Sequence, residues 1–395
     1  MPELAQSLTN SLSKKVTKIN ASGIRSFDDE ISSIEGIIKL TLGEPDMNTP
    51  EHVKQAAVKS IQNNDSHYSP NLGKLELRRV VSNYLKNKIG VEYDSKTEIA
   101  ITVGATEAIS AALNGISNPG DKVIIPTPVF SLYWPVTALA DAEAVLVDTS
   151  HDNFILTAEH LEQVIQKEGS AVKALVLNYP TNPTGVEYSK EEIIALAEVA
   201  RKYNLFVITD EIYSDLIYGV KHYSIANFIP ERTIYISGLS KSHAMTGYRL
   251  GYIAGPQEAM KQIGKVHAFM VTCVNDASQA AAIEALTEGL EDTEKFRQIY
   301  AHRRDFVYQA LKEMDLELIN PQGAFYIFVK IPKKYGKDDL QFALDLAKKG
   351  RVGVIPGHVF GPGGAGYVRI SYAASDENLN EAMKRMREFL NEESK

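Results

Sequence analysis

The sequence predicts an α/β protein: a large domain with a mainly parallel seven-stranded sheet sandwiched by helices, plus a smaller α+β domain. Seven short apolar runs lie between residues 99 and 254, and most are separated by segments of helical periodicity. Apolar strands that alternate with helices are typical of a parallel sheet covered on both faces. From about Glu291 the alternation gives way to a long charged helix followed by strands, which predicts a second unit.

The segment 1–47 is polar and then weakly patterned, and it ends in IIKLTLGEPDMNTP. It reads as an arm with one short strand rather than a domain of its own. We therefore expect an N-terminal arm that forms part of the small domain (1–47), a large domain (48–290) and a small C-terminal domain (291–395).

The individual elements follow from periodicity and turn residues. Helices are predicted from Glu51 onward and over residues 75–88, 106–114, 158–166 and 190–203. The predicted strands of the large sheet are 99–103, 123–125, 144–147, 174–177, 206–209, 233–236 and 252–254. The C-terminal region adds a strand in GAFYIF, a helix near 340–349, a strand in YVRISYA and a final amphipathic helix.

Composition excludes several classes of function. The net charge is -8 without any long basic run, so nucleic acid is not an expected partner. Cys273 is the only cysteine, which excludes an intrachain disulfide and disfavours a cysteine-based metal site, and no metal site is predicted. No apolar stretch approaches ~18 residues, so no membrane association is expected. The single cysteine and the lack of a long apolar stretch both fit a cytoplasmic protein.

Unusual polar residues follow the strands of the predicted sheet, where ligands bind in open α/β folds. Gly104, Ala105 and Thr106 begin a predicted helix, and the exposed N–H groups at its N-terminus favour the binding of a phosphate. Each feature alone is explained as readily by a turn, a helix cap or a surface charge. Together an anion site, an amide, an acid, a phenol and a lysine meet the needs of pyridoxal phosphate. The further members of this set are Asn182, Asp210, Tyr213, Lys241 and Arg249.

Motifs along nearly the whole chain resemble one family. They are SGIRSF, LTLGEPDMNTP, HYSPNLGKLELR, ITVGATEAI, PTPVF, NYPTNPTG, ITDEIY, SGLSKSHAMTGYRLGY, GAFYIF and YVRISYA. In this order they are similar to the class I pyridoxal-phosphate aminotransferases of fold type I, in the aspartate aminotransferase superfamily. Bacterial aromatic amino acid and N-acetyl-diaminopimelate aminotransferases look most similar. The resemblance implies a pyridoxal 5'-phosphate cofactor and a homodimer with shared active sites.

The resemblance also implies a role for each residue that matches a family motif. Lys241 would hold the cofactor covalently and shuttle a proton, Asp210 would pair with the ring nitrogen, and Tyr213 and Asn182 would donate to the ring oxygen. Phe130 would stack on the ring. Gly104, Ala105, Thr106, Arg249 and Tyr68 from a second subunit would surround the phosphate. Gly238 stands where the family carries a serine, so Ser237 or Ser240 would replace that contact.

Substrate recognition is assigned in the same way. Arg369 would bind the substrate α-carboxylate in a bidentate pair, with the Gly43 amide and Asn182 completing that site. Ile24, Phe27, Tyr133 and the Val359–Phe360 turn could line an apolar pocket that favours aromatic amino acids. Arg25 could instead neutralise a distal carboxylate.

The predicted function is therefore transfer of an amino group from an L-amino acid, with aromatic ones favoured, to 2-oxoglutarate by a ping-pong mechanism. Two alternative substrates remain, N-acetyl-diaminopimelate and aspartate. A different reaction class, a pyridoxal-phosphate-dependent β C–S lyase, uses the same fold. A transcription factor with an aminotransferase-like domain is a further alternative, but no helix-turn-helix or basic patch is recognisable.

Overall fold

The computed structural model describes residues 1–392. Its α-helices are α1 (Gly23–Ile31), α2 (Glu51–Gln62), α3 (Leu75–Ile89), α4 (Gly104–Ile116), α5 (Tyr133–Leu139), α6 (Ala158–Glu168), α7 (Lys190–Lys202), α8 (Gln257–Val271), α9 (Asp276–Thr287), α10 (Leu290–Glu313), α11 (Asp339–Asp345) and α12 (Asp376–Glu392). Its strands are β1 (Ile38–Lys39), β2 (Ile99–Thr102), β3 (Lys122–Thr127), β4 (Glu143–Asp148), β5 (Val172–Asn178), β6 (Phe206–Asp210), β7 (Thr233–Gly238), β8 (Gly251–Ala254), β9 (Tyr326–Lys330), β10 (Val352–Gly353), β11 (Ile355–Pro356) and β12 (Tyr367–Ser371).

The large sheet has seven strands in the order β2-β8-β7-β6-β5-β3-β4. Only β8 runs antiparallel to its neighbours β2 and β7, while the other pairs are parallel. All residues of β2, β7 and β8 are buried, because helices cover both faces of the sheet. The predicted fold class is therefore confirmed, and each predicted strand is present with slightly different ends.

Strand register brings the carboxyl ends of β5, β6 and β7 together. Asn178 pairs with Asp210, and Asp210 pairs with Ile236 on the next strand. The helices that follow the strands begin at this edge or near it. For example, α4 begins at Gly104 directly after β2, and α7 begins with a capping box between Ser189 and Glu192.

A second, smaller group of strands forms beside the large sheet. Strands β11, β12 and β9 pair antiparallel, and α10 and α12 pack nearby. The short strand β1 of the N-terminal segment pairs with β10, with Ile38 opposite Val352. The N-terminal segment is thus joined to the C-terminal one by main-chain hydrogen bonds. Residues 393–395 of the predicted C-terminal domain lie outside the described residues.

Four α-helices were not predicted: α1, α5, α8 and α9. Helix α1 buries only Phe27 and Ile31, so its apolar stripe is narrow and the expectation of a bare arm with one strand is wrong there. Helix α9 buries small residues such as Ala281 and Ala282, whose helical period is faint in the sequence. In the part of the chain that the structure describes, no helix has the length and apolarity needed to cross a membrane.

Candidate active site

The loop after β5 is anchored to the end of β6 by Asn178. Its amide nitrogen donates to the Asp210 carbonyl at 3.0 Å, and its amide oxygen accepts from the Asn182 N–H at 3.1 Å. Asn178 therefore holds Asn182 beside the strand end that carries Asp210. The predicted neighbours Asn182 and Asp210 are brought together by a residue to which the sequence analysis gave no role.

Asp210 is a buried carboxylate, only 4% exposed. It accepts hydrogen bonds from the Tyr133 hydroxyl at 2.8 Å and from the Ile212 N–H at 3.2 Å. Burial raises the pKa of Asp210 to about 6, although both hydrogen bonds oppose the rise. Within residues 1–392 we find no lysine, arginine or histidine in an ion pair with it. One positively charged group bound here would therefore neutralise the Asp210 carboxylate.

Lys241 follows β7 and is partly buried. Its Nζ donates to the Gly43 carbonyl at 2.5 Å. Burial lowers the pKa of Lys241 to about 8; Glu44 opposes this shift, whereas the nearby Arg369 and Arg249 reinforce it. An amine with such a pKa is neutral in an appreciable fraction of molecules near neutral pH, and a neutral amine is a nucleophile.

The start of α4 lies close beneath the Arg249 guanidinium. A Cβ atom at Gly104, where φ is +74°, would lie 2.6 Å from the Arg249 Nη2. A Cβ atom at Gly251 would lie 2.7 Å from the Ala105 nitrogen. Only glycine permits these approaches. The first N–H groups of a helix lack intrahelical partners, so this turn and Arg249 together form a site for an anion.

Arg369 is a buried guanidinium, 1% exposed, without an acidic partner among the described residues. Its Nη1 donates to the Asn182 Oδ1 at 2.9 Å and its Nη2 donates to the Thr41 carbonyl at 2.5 Å. Its Nε is buried and has no hydrogen-bond partner in the structure. The rings of Tyr326 and Phe360 lie 4.4 and 5.1 Å from its Cζ. This arrangement supplies positive charge and a free donor for an anionic ligand.

Tyr213 lies at the same edge of the sheet and is 4% exposed. Its hydroxyl is 2.7 Å from the Tyr326 hydroxyl, and the two share one hydrogen bond. Phe130 is half-buried and meets the Tyr133 ring edge-on at 6.5 Å. Phe130 is thus linked to Asp210 through Tyr133, whose hydroxyl donates to that carboxylate.

Other predicted residues are placed less centrally. Ser237 is fully buried and its hydroxyl donates to the Glu211 carbonyl at 3.3 Å. Ser240 is 8% exposed and directly precedes Lys241, whereas Tyr68 is 88% exposed. Ile24 is half-buried in α1 and packs against the core of the chain. Thr106 is exposed at the start of α4.

The structure corrects the reading of Tyr133 as a wall of the substrate side-chain pocket. Tyr133 is 1% exposed and its hydroxyl donates to Asp210, so it serves the carboxylate instead. Tyr326 and Thr41 were also missed as contacts of the site. Tyr326 stands inside the quoted GAFYIF motif, which was the available signal, whereas the Thr41 contact uses a carbonyl that every residue carries.

A cleft of about 770 Å³ opens elsewhere, lined in part by residues 186–192 and 318–320. None of the predicted site residues lines it. Cleft size therefore does not identify the candidate active site. The charged and hydrogen-bonded residues at the strand ends identify it instead.

These residues fit pyridoxal phosphate. The cofactor needs a reactive lysine, an acid for its ring nitrogen and donors for its phosphate. Lys241 has a lowered pKa, Asp210 is a buried acid without a cation, and Arg249 stands over the start of α4. With the mainly parallel seven-stranded sheet, they define the fold type I class of pyridoxal-phosphate enzymes.

Comparison with known proteins narrows this class to a family. The sequence model of the family described as aminotransferase class I and II matches residues 35–386. A probable N-acetyl-LL-diaminopimelate aminotransferase of Bacillus subtilis (strain 168) is 44% identical, over 96% of this chain and 95% of that protein. The aromatic-amino-acid aminotransferase 2 of Thermococcus litoralis is 40% identical, over 96% of this chain and 98% of that protein.

A solved structure of Thermus thermophilus aspartate aminotransferase with maleate superposes with a TM-score of 0.90. It is 33% identical and covers 96% of this chain and 99% of that chain. The chain belongs to the aminotransferase class I and II family and is a pyridoxal-phosphate-dependent transferase. The predicted family and cofactor are confirmed.

Proposed function

We propose that this aminotransferase moves the amino group of an aromatic L-amino acid to 2-oxoglutarate by a ping-pong mechanism. One observation carries the proposal. The Arg369 guanidinium is buried with a free Nε and without an acidic partner in the described chain. A buried charge without a partner is costly, and the carboxylate of an amino acid or 2-oxoacid supplies that partner in planar, bidentate form.

The surroundings of Arg369 support an apolar substrate side chain. The Phe360 ring lies 5.1 Å from its guanidinium carbon. The turn before Phe360 packs closely on α1, since a Cβ atom at Gly23 would lie 2.8 Å from the Val359 Cγ1. Ile24 follows in that helix. An apolar wall next to the carboxylate anchor favours phenylalanine, tyrosine or tryptophan.

A second candidate substrate is N-acetyl-diaminopimelate. The relative from Bacillus subtilis named for this activity is 44% identical to the chain. Arg25 is exposed beside Ile24 and offers a charge for a distal carboxylate, which also suits aspartate. N-acetyl-diaminopimelate and aspartate differ from the aromatic amino acids only in the side chain, since all of them carry the α-carboxylate that Arg369 would bind.

The chain's own groups would act as follows. Lys241 would hold the cofactor covalently until the substrate amine displaces it, and its freed amine would then carry the proton from the substrate Cα to the cofactor. Bound pyridoxal phosphate supplies an electron sink for this step. Asp210 would pair with the ring nitrogen and keep it positively charged. The Asn182 oxygen accepts from Arg369, so its nitrogen remains free to donate to the ring oxygen together with Tyr213. Phe130 would stack on the ring.

The phosphate would be held by the N–H groups of Ala105 and Thr106, the Thr106 hydroxyl and Arg249. Between the two serines we favour Ser240, because the Ser237 hydroxyl already donates to a carbonyl. The Gly43 amide would complete the carboxylate site. The Gly43 carbonyl accepts from Lys241, which supports this assignment.

We also propose a cytoplasmic homodimer in which Tyr68 completes the partner's site. Tyr68 and Phe269 are 88% and 95% exposed, and their segments adjoin, since the Asn71 amide donates to the Thr272 carbonyl at 2.7 Å. Mixing a Tyr68→Ala protein with a Lys241→Ala protein tests this. A mixed dimer should recover activity, because one of its two sites carries neither change. Recovery that is absent despite subunit exchange contradicts the shared site.

The proposed domain division is 1–47 with 291–395 as a small domain and 48–290 as the cofactor domain. The pairing of β1 with β10 supports it.

A half-reaction screen tests the substrate. Purified holoenzyme is mixed with each amino acid in the absence of an oxoacid, and loss of the bound cofactor's absorbance is followed. Phenylalanine and tyrosine should react fastest; failure of both while N-acetyl-diaminopimelate reacts would overturn the aromatic assignment. Release of pyruvate and ammonia from cystathionine, without any oxoacid, would instead indicate a C–S lyase.

A further inference from the structure

Tyr326 touches three groups of the site at once. Its side chain is fully buried, its hydroxyl is 2.7 Å from the Tyr213 hydroxyl, and its ring lies 4.4 Å from the Arg369 guanidinium carbon. The hydroxyl also backs onto Gly43, where a Cβ atom would overlap it.

The position of Tyr326 in the sheet explains these contacts. Tyr326 pairs with Ser371 across β9 and β12, and Arg369 pairs with Phe328 two residues along. Side chains two residues apart in a strand share a face, so Tyr326 and Arg369 lie diagonally on one face of the small sheet. Tyr213 instead follows β6 of the large sheet. The pair of hydroxyls therefore connects the small sheet to the large one.

Counting hydrogens gives the pair a direction. A phenol carries one hydrogen, so each hydroxyl donates only once. If Tyr213 donates to the ring oxygen of the cofactor, as in the proposed function, only Tyr326 can donate between the two phenols. A hydroxyl that accepts a hydrogen bond becomes a stronger donor in turn. The positive charge of Arg369 stabilises negative charge on both phenol oxygens, so the direction follows from the count of hydrogens.

We propose that Tyr326 is a positioning residue that links the carboxylate site at Arg369 to the strength with which Tyr213 donates to the cofactor. This inference rests on the proposed function. A carboxylate bound to Arg369 offsets the guanidinium charge beside the Tyr326 ring. Tyr326 then becomes a weaker donor, Tyr213 follows, and the ring oxygen of the cofactor binds its proton more tightly. Occupancy of the carboxylate site is thereby signalled to the cofactor.

The test removes only the hydroxyl. Tyr326→Phe keeps the ring beside Arg369, and the bound cofactor's absorbance is titrated with pH in wild type, Tyr326→Phe, Tyr213→Phe and the double variant. Loss of a donor raises the pKa of the chromophore, by about 0.3 to 1 unit in Tyr326→Phe. Tyr213→Phe should raise it at least as much, and adding Tyr326→Phe to Tyr213→Phe should change it no further.

A second titration is made at saturating 3-phenylpropionate, a carboxylate without an amino group. In wild type the ligand should raise the chromophore pKa, and in Tyr326→Phe this rise should be smaller. The dissociation constant of 3-phenylpropionate should change less than about threefold, because Arg369 and the stacked ring remain. Tyr326→Leu, which also removes the ring, should weaken binding about tenfold.

Tyr372→Phe is the matched control. Its hydroxyl is equally buried but donates to the Ala324 carbonyl at 3.1 Å, away from Tyr213. It should titrate like wild type. The inference is overturned if Tyr326→Phe titrates like wild type, if its effect persists in the Tyr213→Phe background, or if Tyr372→Phe gives the same shift. The titrations need only a bound cofactor, so they stand apart from the proposed function, which fails instead if no amino acid discharges the chromophore.

Discussion

Replacing Asp210 by Asn should stabilise the cofactor-free protein while it weakens the loaded enzyme. Asp210 is buried at the end of β6, and in the described chain it has no cationic partner. Without the cofactor its charge is therefore an uncompensated buried charge. Asparagine keeps the size and the oxygen that accepts from Tyr133 and carries no charge, but it gives up the second oxygen, which accepts from the Ile212 N–H. The two states of the protein should thus respond in opposite directions.

The size and sign of the effect follow from the pKa of Asp210. Burial raises that pKa from 3.8 to about 6. A rise of about two units corresponds to about 3 kcal/mol of unfolding free energy. Because the folded-state pKa is the higher one, stability is fully present below about pH 4 and is lost as pH rises through about 6. Above pH 7, apo Asp210→Asn should be more stable by about 1–2 kcal/mol, since a weaker Tyr133 hydrogen bond and the lost Ile212 hydrogen bond offset part of the gain.

Urea denaturation of both apoproteins between pH 5 and 8, at one protein concentration, measures this difference. The stability of Asp210→Asn relative to wild type should increase with pH. Adding pyridoxal phosphate should stabilise wild type more than the variant, because the positive ring nitrogen meets a carboxylate only in wild type.

Asp215→Asn provides a control of opposite sign. Asp215 pairs with Lys88 at 2.6 Å, and this lysine helps to hold its pKa below the usual value despite burial. Asp215→Asn should therefore destabilise the protein at neutral pH. This loss of unfolding free energy should become smaller as pH falls. An Asp210→Asn difference that does not change with pH, or that changes in the same direction as Asp215→Asn, would refute the reasoning.

Four further predictions concern the reaction. Lys241→Ala should abolish turnover while it retains non-covalent cofactor binding, measured by steady-state kinetics and equilibrium dialysis; full transamination would exclude Lys241. Arg369→Lys should lower kcat/KM for every amino acid about 100-fold, since one ammonium replaces a bidentate fork, and an unchanged value would remove Arg369 from the site. Covalent cofactor uptake by the apoprotein should rise about tenfold per pH unit below pH 8, because the pKa of Lys241 is about 8. Glu44 raises that pKa, so Glu44→Gln should shift the uptake profile to lower pH, and a shift to higher pH would contradict this.

The seven strands of the large sheet and the polar residues at their ends could be predicted from the sequence. Buried parallel strands need apolar residues on both faces, so the seven runs stand out, and β5 and β6 end in the polar residues Asn178 and Asp210. The family motifs then assign Lys241, Asp210 and Arg369 their chemistry. Helices α1 and α9 escaped detection because their buried faces are narrow or made of small residues.

Contacts between distant segments were not readable. Tyr133 donates to the Asp210 carboxylate, 77 positions away in the sequence. The Tyr326 hydroxyl forms a hydrogen bond with the Tyr213 hydroxyl, 113 positions away. Such contacts depend on how sheets and helices pack, and spacing along the chain carries no record of them. The raised pKa of Asp210 and the lowered pKa of Lys241 are of the same kind, because burial arises only when the whole fold excludes water.

By itself, then, the amino-acid sequence determined the fold class and the cofactor and predicted the residues that would hold it, because local periodicity and motif chemistry are written in consecutive residues. Only the tertiary structure decided which side chains surround those residues: the phenol that supports Asp210, the amide that holds Asn182, and the ring that joins Arg369 to Tyr213. The physical reason is that charge, burial and hydrogen bonding at the site are set by groups brought together from separate strands and helices.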